Sequence, residues 1–234
     1  MNQPEFDRYS RSYDELLKDP IRDRFTGGDS GFFHLRKREL LRRYFATRKM
    51  DTQASRYLDI GCGKGELLSL LRDDFAHVAG CDPSPGMLRF AEGIDVRVQT
   101  HPAAIPFNEE EFDVVTAVCV YHHVSPSSRL ALTREILRVV RPGGTFAIIE
   151  HNPYNPVTRR IVSRSPVDTD AILLKPAEAR HWMGCAGFIV QRRRFFLYFP
   201  ERVYRLGGHV VEEALGWLPL GGQYAVFATK ESTN

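Results

Sequence analysis

From residue 56 onward, short apolar runs alternate with stretches whose apolar residues recur every three or four positions. Such runs predict strands at 56–60, 77–82, 95–100, 112–120 and 145–150. The run from Phe112 to Val120 is almost uninterrupted, the pattern of a strand covered on both faces. Between them, helices are predicted from Glu66, over Ser84–Gly93 with Met87, Leu88 and Ala91 on one side, and over Ser127–Val140. Pro126 opens the last of these, Gly143 follows it, and Leu130, Thr133, Leu137 and Val140 form its expected inner stripe. Regular strand–helix alternation predicts an α/β fold, a parallel sheet with helices on both faces.

The alternation fails at both ends. Before residue 50, Tyr9, Tyr13, Leu16 and Leu17 make one stripe that Pro20 and Gly27-Gly28 interrupt. A helix from Phe32 to about Arg48 turns Phe33, Leu40, Leu41, Tyr44 and Phe45 inward and Arg36, Lys37, Arg38, Arg42 and Arg43 largely outward, as a solvated basic face. Residues 151–175 read as a long polar connection, and long connections in compact domains are often functional. A helix over Pro176–Ala186 and strands over 189–199 and 224–230 complete the chain.

Composition changes this picture little. At 43% hydrophobic and 26% charged residues the chain is an ordinary globular one, and a net charge of +3 is too small to imply a nucleic-acid binder. The cysteines at 62, 81, 119 and 185 have no C-x-x-C spacing, so no zinc or redox pair and no bound metal is expected. With no apolar leader and no membrane-length run, a cytoplasmic protein without stable membrane insertion is expected.

The candidate chemistry centres on Leu58-Asp-Ile-Gly-Cys-Gly-Lys-Gly, a strand, a glycine turn and a helix start. A phosphate-binding loop needs Gly-Lys-Ser/Thr, but Gly65 follows Lys64. A dinucleotide turn needs a glycine where Glu66 stands. The pattern present, G-x-G-x-G preceded by Asp59, suits a zwitterionic ligand: backbone N–H groups face its carboxylate and an acid answers its ammonium. Asp82 closes the second strand 21 residues after Gly61, where an acid accepts from both ribose hydroxyls; capping of the next helix is the competing role. Met87 stands where it packs against either an adenine face or the core.

Here the chain resembles the class I S-adenosylmethionine-dependent methyltransferases, especially the small-molecule group similar to ubiquinone and menaquinone biosynthesis enzymes. The resemblance rests on Leu58 to Glu66, Gly80-Cys-Asp-Pro-Ser-Pro-Gly-Met-Leu, Ile105-Pro-Phe with Phe112-Asp-Val-Val, and Leu137-Arg-Val-Val-Arg-Pro-Gly-Gly-Thr-Phe. It implies a Rossmann-like seven-stranded sheet of order 3-2-1-4-5-7-6 with strand 7 antiparallel. Residues 1–50 would be a helical lid and 51–234 the catalytic domain, with acceptor-site elements at 151–222. S-adenosylmethionine is the implied cofactor and S-adenosylhomocysteine the product. Gly61, Cys62 and Gly63 would touch the methionine moiety, Asp59 its amino group and Asp82 the ribose, with Pro83, Met87, His101 and Val118 completing the set. The chain departs from the family at Thr100-His101-Pro102, where relatives commonly read Gly-Asp-Ala. There His101 accepts from the adenine amino group through a neutral ring, or the backbone takes over.

Methyl transfer from a sulfonium is an in-line displacement, so positioning dominates and a base is needed only for a protonated nucleophile. Tyr121, His122 and His123 follow the fourth strand, and Glu150 and His151 end the fifth, at the edge where open α/β sheets bind ligands. His123 and His151 are the candidate catalytic groups, loop orientation being the competing role for the first. Asn152, Asn155 and Arg159 either hold a polar acceptor or pack a turn; Phe195, Phe196, Tyr198, Phe199 and Trp217 line an apolar substrate tail or the core; Tyr9 and Tyr13 belong to the lid. The expected partner is a small-molecule or lipid-like acceptor methylated at O, N or C, not a nucleic acid, by a monomer or homodimer. A degenerate cofactor-binding domain is one alternative, suggested by His101. An RNA or DNA methyltransferase using the Arg36–Lys49 and Arg192–Arg194 clusters is another, although Val-Tyr-His-His stands where a base-amine motif would follow strand four.

Overall fold

The computed structural model describes residues 5–232, so the first four residues of the expected lid lie outside it. Seven strands form one sheet: β1 (Arg56–Ile60), β2 (His77–Asp82), β3 (Asp95–Val98), β4 (Phe112–Val118), β5 (Val140–His151), β6 (Ile189–Phe196) and β7 (Gln223–Thr229). Their order is β3-β2-β1-β4-β5-β7-β6. The first five are parallel, and β7 runs antiparallel between β5 and β6, as the resemblance implied.

Each face of the sheet is covered by its own apolar layer. Before β1 come α1 (Tyr13–Leu16), α2 (Pro20–Thr26) and α3 (Gly31–Thr47); α4 (Glu66–Leu71) and α5 (Pro85–Leu88) follow β1 and β2. Leu40, Leu41, Tyr44 and Phe45 of α3 pack with Leu67, Leu68 and Leu71 of α4 over one face. The Tyr44 ring stacks on Phe227 of β7 at 3.9 Å between centroids. On the other face, α6 (Pro126–Val139) packs on β5 and α8 (Pro176–Ala186) on β6 and β7, burying Leu132, Ile136, Val139, Ala179 and Met183. The remaining helices are α7 (Pro156–Val162), α9 (Glu201–Val203) and α10 (His209–Leu215). No helix among the described residues is long and apolar enough to cross a membrane.

Several local expectations shift. The helix expected over Ser84–Gly93 is only α5, with the Ser84 hydroxyl capping Met87 N–H. The inner stripe of α6 agrees with expectation at Thr133 and at Val140 just past its end, but Leu130 and Leu137 are only partly covered and Arg129, Leu132, Ile136 and Val139 are buried instead. Pro20 does not end a helix but starts α2, whose first amides bond the Asp19 carboxylate. In the same way Asn155 and Pro156 start α7 within the connection read as irregular. Proline at a first helical position loses no hydrogen bond, which is why an Asn-Pro pair reads equally as a turn or a helix start.

The largest correction concerns the basic face of α3. Arg38, Arg42 and Arg43 reach solvent at least in part, but Arg36 and Lys37 are buried. The Arg36 guanidinium bonds Glu39, Glu212 of α10 and the Tyr204 hydroxyl, and lies over the Tyr204 ring. Glu212 also accepts from Tyr198 N–H at 3.0 Å, so one carboxylate joins α3, α10 and the segment after β6. Removing one partner of such a buried pair strands the other charge. Glu212→Ala should therefore cost about 3 kcal/mol of unfolding free energy by urea titration. Glu213→Ala, which removes the exposed partner of Arg43, should cost under about 1 kcal/mol.

Candidate functional site

A cavity of about 830 Å³ opens at the C-terminal edge of β1, β2, β4 and β5, roofed by α1, α2 and α3. It lies where successive crossovers leave the sheet in opposite directions, between β1 and β4, the place such folds bind ligands. Its size is that of a site for one or two small molecules.

The glycine turn forms one end. Gly61 has φ +68°, and a Cβ there would sit 2.4 Å from Val120 Cγ2, so a side chain is excluded by both strain and space. At Gly63, φ +55°, a Cβ would meet nothing within 4 Å, so this stretch of backbone is open to a ligand. Asp82 holds the turn: Oδ2 accepts from Gly63 N–H at 2.9 Å and Oδ1 from Ser84 N–H at 2.8 Å. Each oxygen keeps a second lone pair for a ligand hydroxyl, so the capping and ligand-binding roles are compatible. The donor set fits S-adenosylmethionine: open backbone at Gly63, an acid beside it, and Pro83, Met87 and Val118 on the wall.

Two opposite charges flank that end. Asp59 is buried and accepts from Thr116 Oγ1 at 2.6 Å, which in turn accepts from the Tyr57 hydroxyl at 2.6 Å. Burial raises the Asp59 carboxyl to about 7, against the opposing effects of Thr116 and Lys37. Lys37 is only 6% exposed, lines the cavity, and has no carboxylate at ion-pair distance among the described residues. Nearby, burial, Lys37 and Arg22 press the His34 imidazole down to about 3.

Histidines and carboxylates build the other end. His122 is enclosed; its Nδ1 lies 2.6 Å from Glu150 Oε2 and its Nε2 3.4 Å from Asp168 Oδ1. Burial disfavours the imidazolium, but Glu150 and Asp168 outweigh it and raise His122 to about 9. Glu150 also accepts from Tyr121 N–H at 2.7 Å; burial opposes its charge, yet His122 holds its carboxyl below the usual range. His123 Nε2 lies 3.4 Å from the same Asp168 oxygen. Asp168 is likewise lowered, the bonds to His122 and His123 overcoming burial. His151 is lowered to about 4 by burial and then by His122, so it stands neutral. Arg129, buried in α6, donates to the carbonyls of Tyr121, Val124 and Ile172 and so fastens the two loops that carry these groups.

The structure thus gathers Asp59, Gly61, Cys62, Gly63, Asp82, Pro83, Met87, Val118, His123 and His151 around one cavity. It does not gather His101, whose exposed ring accepts from Ala103 N–H at 3.0 Å; Pro102 lines the wall instead. Asn152 and Asn155 are spent on the fold: the first donates to Pro219 and Gly221 carbonyls, the second to Leu220, and both cap local turns. Arg159 is exposed and lies off the cavity wall, and Trp217 is 70% exposed. Tyr13 lines the cavity; Tyr9 does not. Lys37 and Asp168 were missed from sequence. The first was hidden in a basic run, and the second is separated from its histidines by two α-helices and a strand with no motif around it.

A family model described as a methyltransferase domain matches residues 58–148. An uncharacterized methyltransferase of Synechocystis sp. is 35% identical over 103 residues, covering 42% of this chain and 48% of that protein, so the match spans about half of that relative. A ubiquinone biosynthesis O-methyltransferase of Hahella chejuensis is 28% identical over 206 residues, 80% of this chain and 85% of the relative. Among solved structures, an S-adenosylmethionine-dependent methyltransferase from Archaeoglobus fulgidus aligns with TM-score 0.64 at 22% identity, covering 90% of this chain and 98% of that one. The domain match starts within β1 and ends within β5, on a sheet ordered β3-β2-β1-β4-β5-β7-β6, so the chain is similar to the class I S-adenosylmethionine-dependent methyltransferases in its fold and in its cofactor-binding half.

Proposed function

We propose that this protein transfers a methyl group from S-adenosylmethionine to a small-molecule or lipid-like acceptor. The observation that carries this is one cavity with two chemically distinct ends. An acid, a base and open glycine backbone stand at one, and histidines beside an apolar wall at the other. In this reading Asp59 meets the ammonium and Lys37 the carboxylate of the methionine moiety, Asp82 the ribose hydroxyls, and Pro83, Met87 and Val118 the adenosine. The bound group supplies an electrophilic methyl. The protein's part is to orient it and exclude water, with residues up to about 50 as the lid; Lys64 ties that lid to the glycine turn through Asp14 at 2.8 Å.

At the acceptor end, His123 and His151 stand where the reacting atom must lie, and Ile161, Val162 and Leu197 offer apolar surface to a tail. Similarity to a quinone-pathway O-methyltransferase favours such an acceptor. The nucleic-acid reading loses part of its charge: Arg36 and Lys37 are buried, Arg38 pairs with Asp74, and Arg43 and Arg194 share Glu213. Four unpaired thiols suit a reducing, cytoplasmic setting.

The test is transfer of labelled methyl groups from S-adenosylmethionine to a panel of phenols, hydroquinones and hydroxy acids, with total RNA as a parallel arm. Label in the small molecules supports the reading; label only in RNA, or cofactor binding with no transfer to any acceptor, overturns it. Calorimetry tests the cofactor end. Lys37→Met should weaken S-adenosylhomocysteine binding about 10-fold or more, the loss of one charged hydrogen bond. His101→Ala should change it less than about threefold, as an exposed ring contributes little.

Asp59 also links pH to stability. Its folded value, raised to about 7, exceeds the unfolded one, so between about pH 4 and 7 the unfolded chain gives up a proton that the folded chain keeps. Unfolding free energy therefore falls as pH rises through that window. Asp59→Asn, which keeps an acceptor for Thr116, should make the empty protein more stable at pH 8, by up to about 4 kcal/mol, and have little effect near pH 4. The same variant should bind cofactor more weakly. Thermal melts across pH, with and without cofactor, check both.

A further inference from the structure

The two histidines that follow β4 and the aspartate from the 166–168 turn point their ligand atoms at one another. His122 Nε2 and His123 Nε2 each lie 3.4 Å from Asp168 Oδ1, and all three atoms lie within 4.8 Å of one another. Ligands 2.0–2.2 Å from a tetrahedral metal are spaced about 3.3–3.6 Å apart, so the two measured edges match those of a metal polyhedron. We propose that His122, His123 and Asp168 form a binding site for one divalent transition-metal ion, with its open position facing the acceptor end of the cavity.

Three further features support the assignment. His122 offers Nε2 to the cluster while its Nδ1 points at buried Glu150, the carboxylate–histidine arrangement that fixes the ring of a metal ligand. Glu150 is itself fixed by Tyr121 N–H, so this outer support is complete. Two carboxylates on one buried imidazole leave an excess of negative charge out of water, which a divalent ion neutralises. The loops are also preset: Ile172 N–H donates to the His122 carbonyl at 2.8 Å, and Arg129 bridges the Tyr121 and Ile172 carbonyls. Ordering these ligands on metal binding thus costs little entropy. Two imidazoles and one carboxylate favour zinc or iron(II) over magnesium or calcium. His122, His123 and Asp168 all line the same cavity, so the open position is within reach of an acceptor oxygen. The acceptor's place there rests on the proposed methyl transfer; metal binding does not.

The test therefore reads metal directly. Full-length protein freed of metal with chelator is titrated with Co²⁺, following visible d–d absorption, and then with Zn²⁺ by competition. A Cys185→Ser background removes the exposed thiol 3.6 Å from His181, which is a surface competitor. One equivalent of Co²⁺ with the intense spectrum of a four- or five-coordinate ion is expected. His123→Ala and Asp168→Asn should each weaken it at least about 10-fold, and Glu150→Gln about 10- to 100-fold through its contact with His122 Nδ1. Near-ultraviolet circular dichroism confirms that each variant is folded. The proposal is overturned if the folded parent binds no Co²⁺ or Zn²⁺, or if the His123→Ala/Asp168→Asn double variant keeps the parent's affinity and spectrum. Absence of methyl transfer with the metal site intact would count against the proposed function alone.

Discussion

The parallel pairing of β1 with β4 is the constraint on which the site depends. Their crossovers leave in opposite directions, so no helix can cover the strand ends and a crevice must open there. The register places Asp59 opposite Thr116, which is what brings the threonine hydroxyl within 2.6 Å of the carboxylate. Ile60 runs into Gly61 and Val118 into Cys119, and both following residues take positive φ. For Gly61 that is easy. For Cys119 it is strained, and a strained residue at a cavity wall is held there by its surroundings: its N–H bonds the Ile149 carbonyl at 2.8 Å.

Around this crevice the chain buries several ionisable groups and gives most of them a partner. Arg36 and Glu212 join the N-terminal helices to the late segment. Arg129 satisfies backbone carbonyls on the loops after β4 and after the 166–168 turn. Glu150 satisfies an N–H and an imidazole together. These groups are spent on the fold. Asp59 and Lys37 stand apart, because among the described residues neither has an opposite charge at bonding distance, and both face the cavity. Burying an unpaired charge is costly, so this pair is poised for a ligand that carries both charges itself.

The first strands and the glycine turn were legible in the sequence because they are local, while the strand order came with the family resemblance. A strand, its turn and the acid closing the next strand lie within 30 residues, and short apolar runs mark each. What was not legible depends on distant contact. Whether Arg36 and Lys37 are outside or inside is decided by Glu212 and by the cavity, not by the helical period of α3. The stripe of α6 was misplaced because Arg129, which looks like a surface residue, is buried by carbonyls no pattern reveals. Asn152 and Asn155 looked like acceptor ligands because Asn-Pro turns and substrate loops share a composition; the structure spends both amides on residues 219–221.

That last point bears on specificity. The segments 151–175 and 197–222 use many of their polar side chains to hold each other, and Ile161, Val162 and Leu197 give the cavity apolar surface. Of the polar groups that face the acceptor, His122 and His123 follow β4, His151 ends β5, and Asp168 is carried by the 151–175 segment itself. A cavity with an apolar wall and a few fixed polar groups discriminates poorly by a methylene and strongly by a hydrogen-bonding atom. Selection among acceptors should accordingly turn on the position of one oxygen or nitrogen relative to His122, His123 and Asp168, while the length of an apolar tail is only loosely policed by Ile161, Val162 and Leu197.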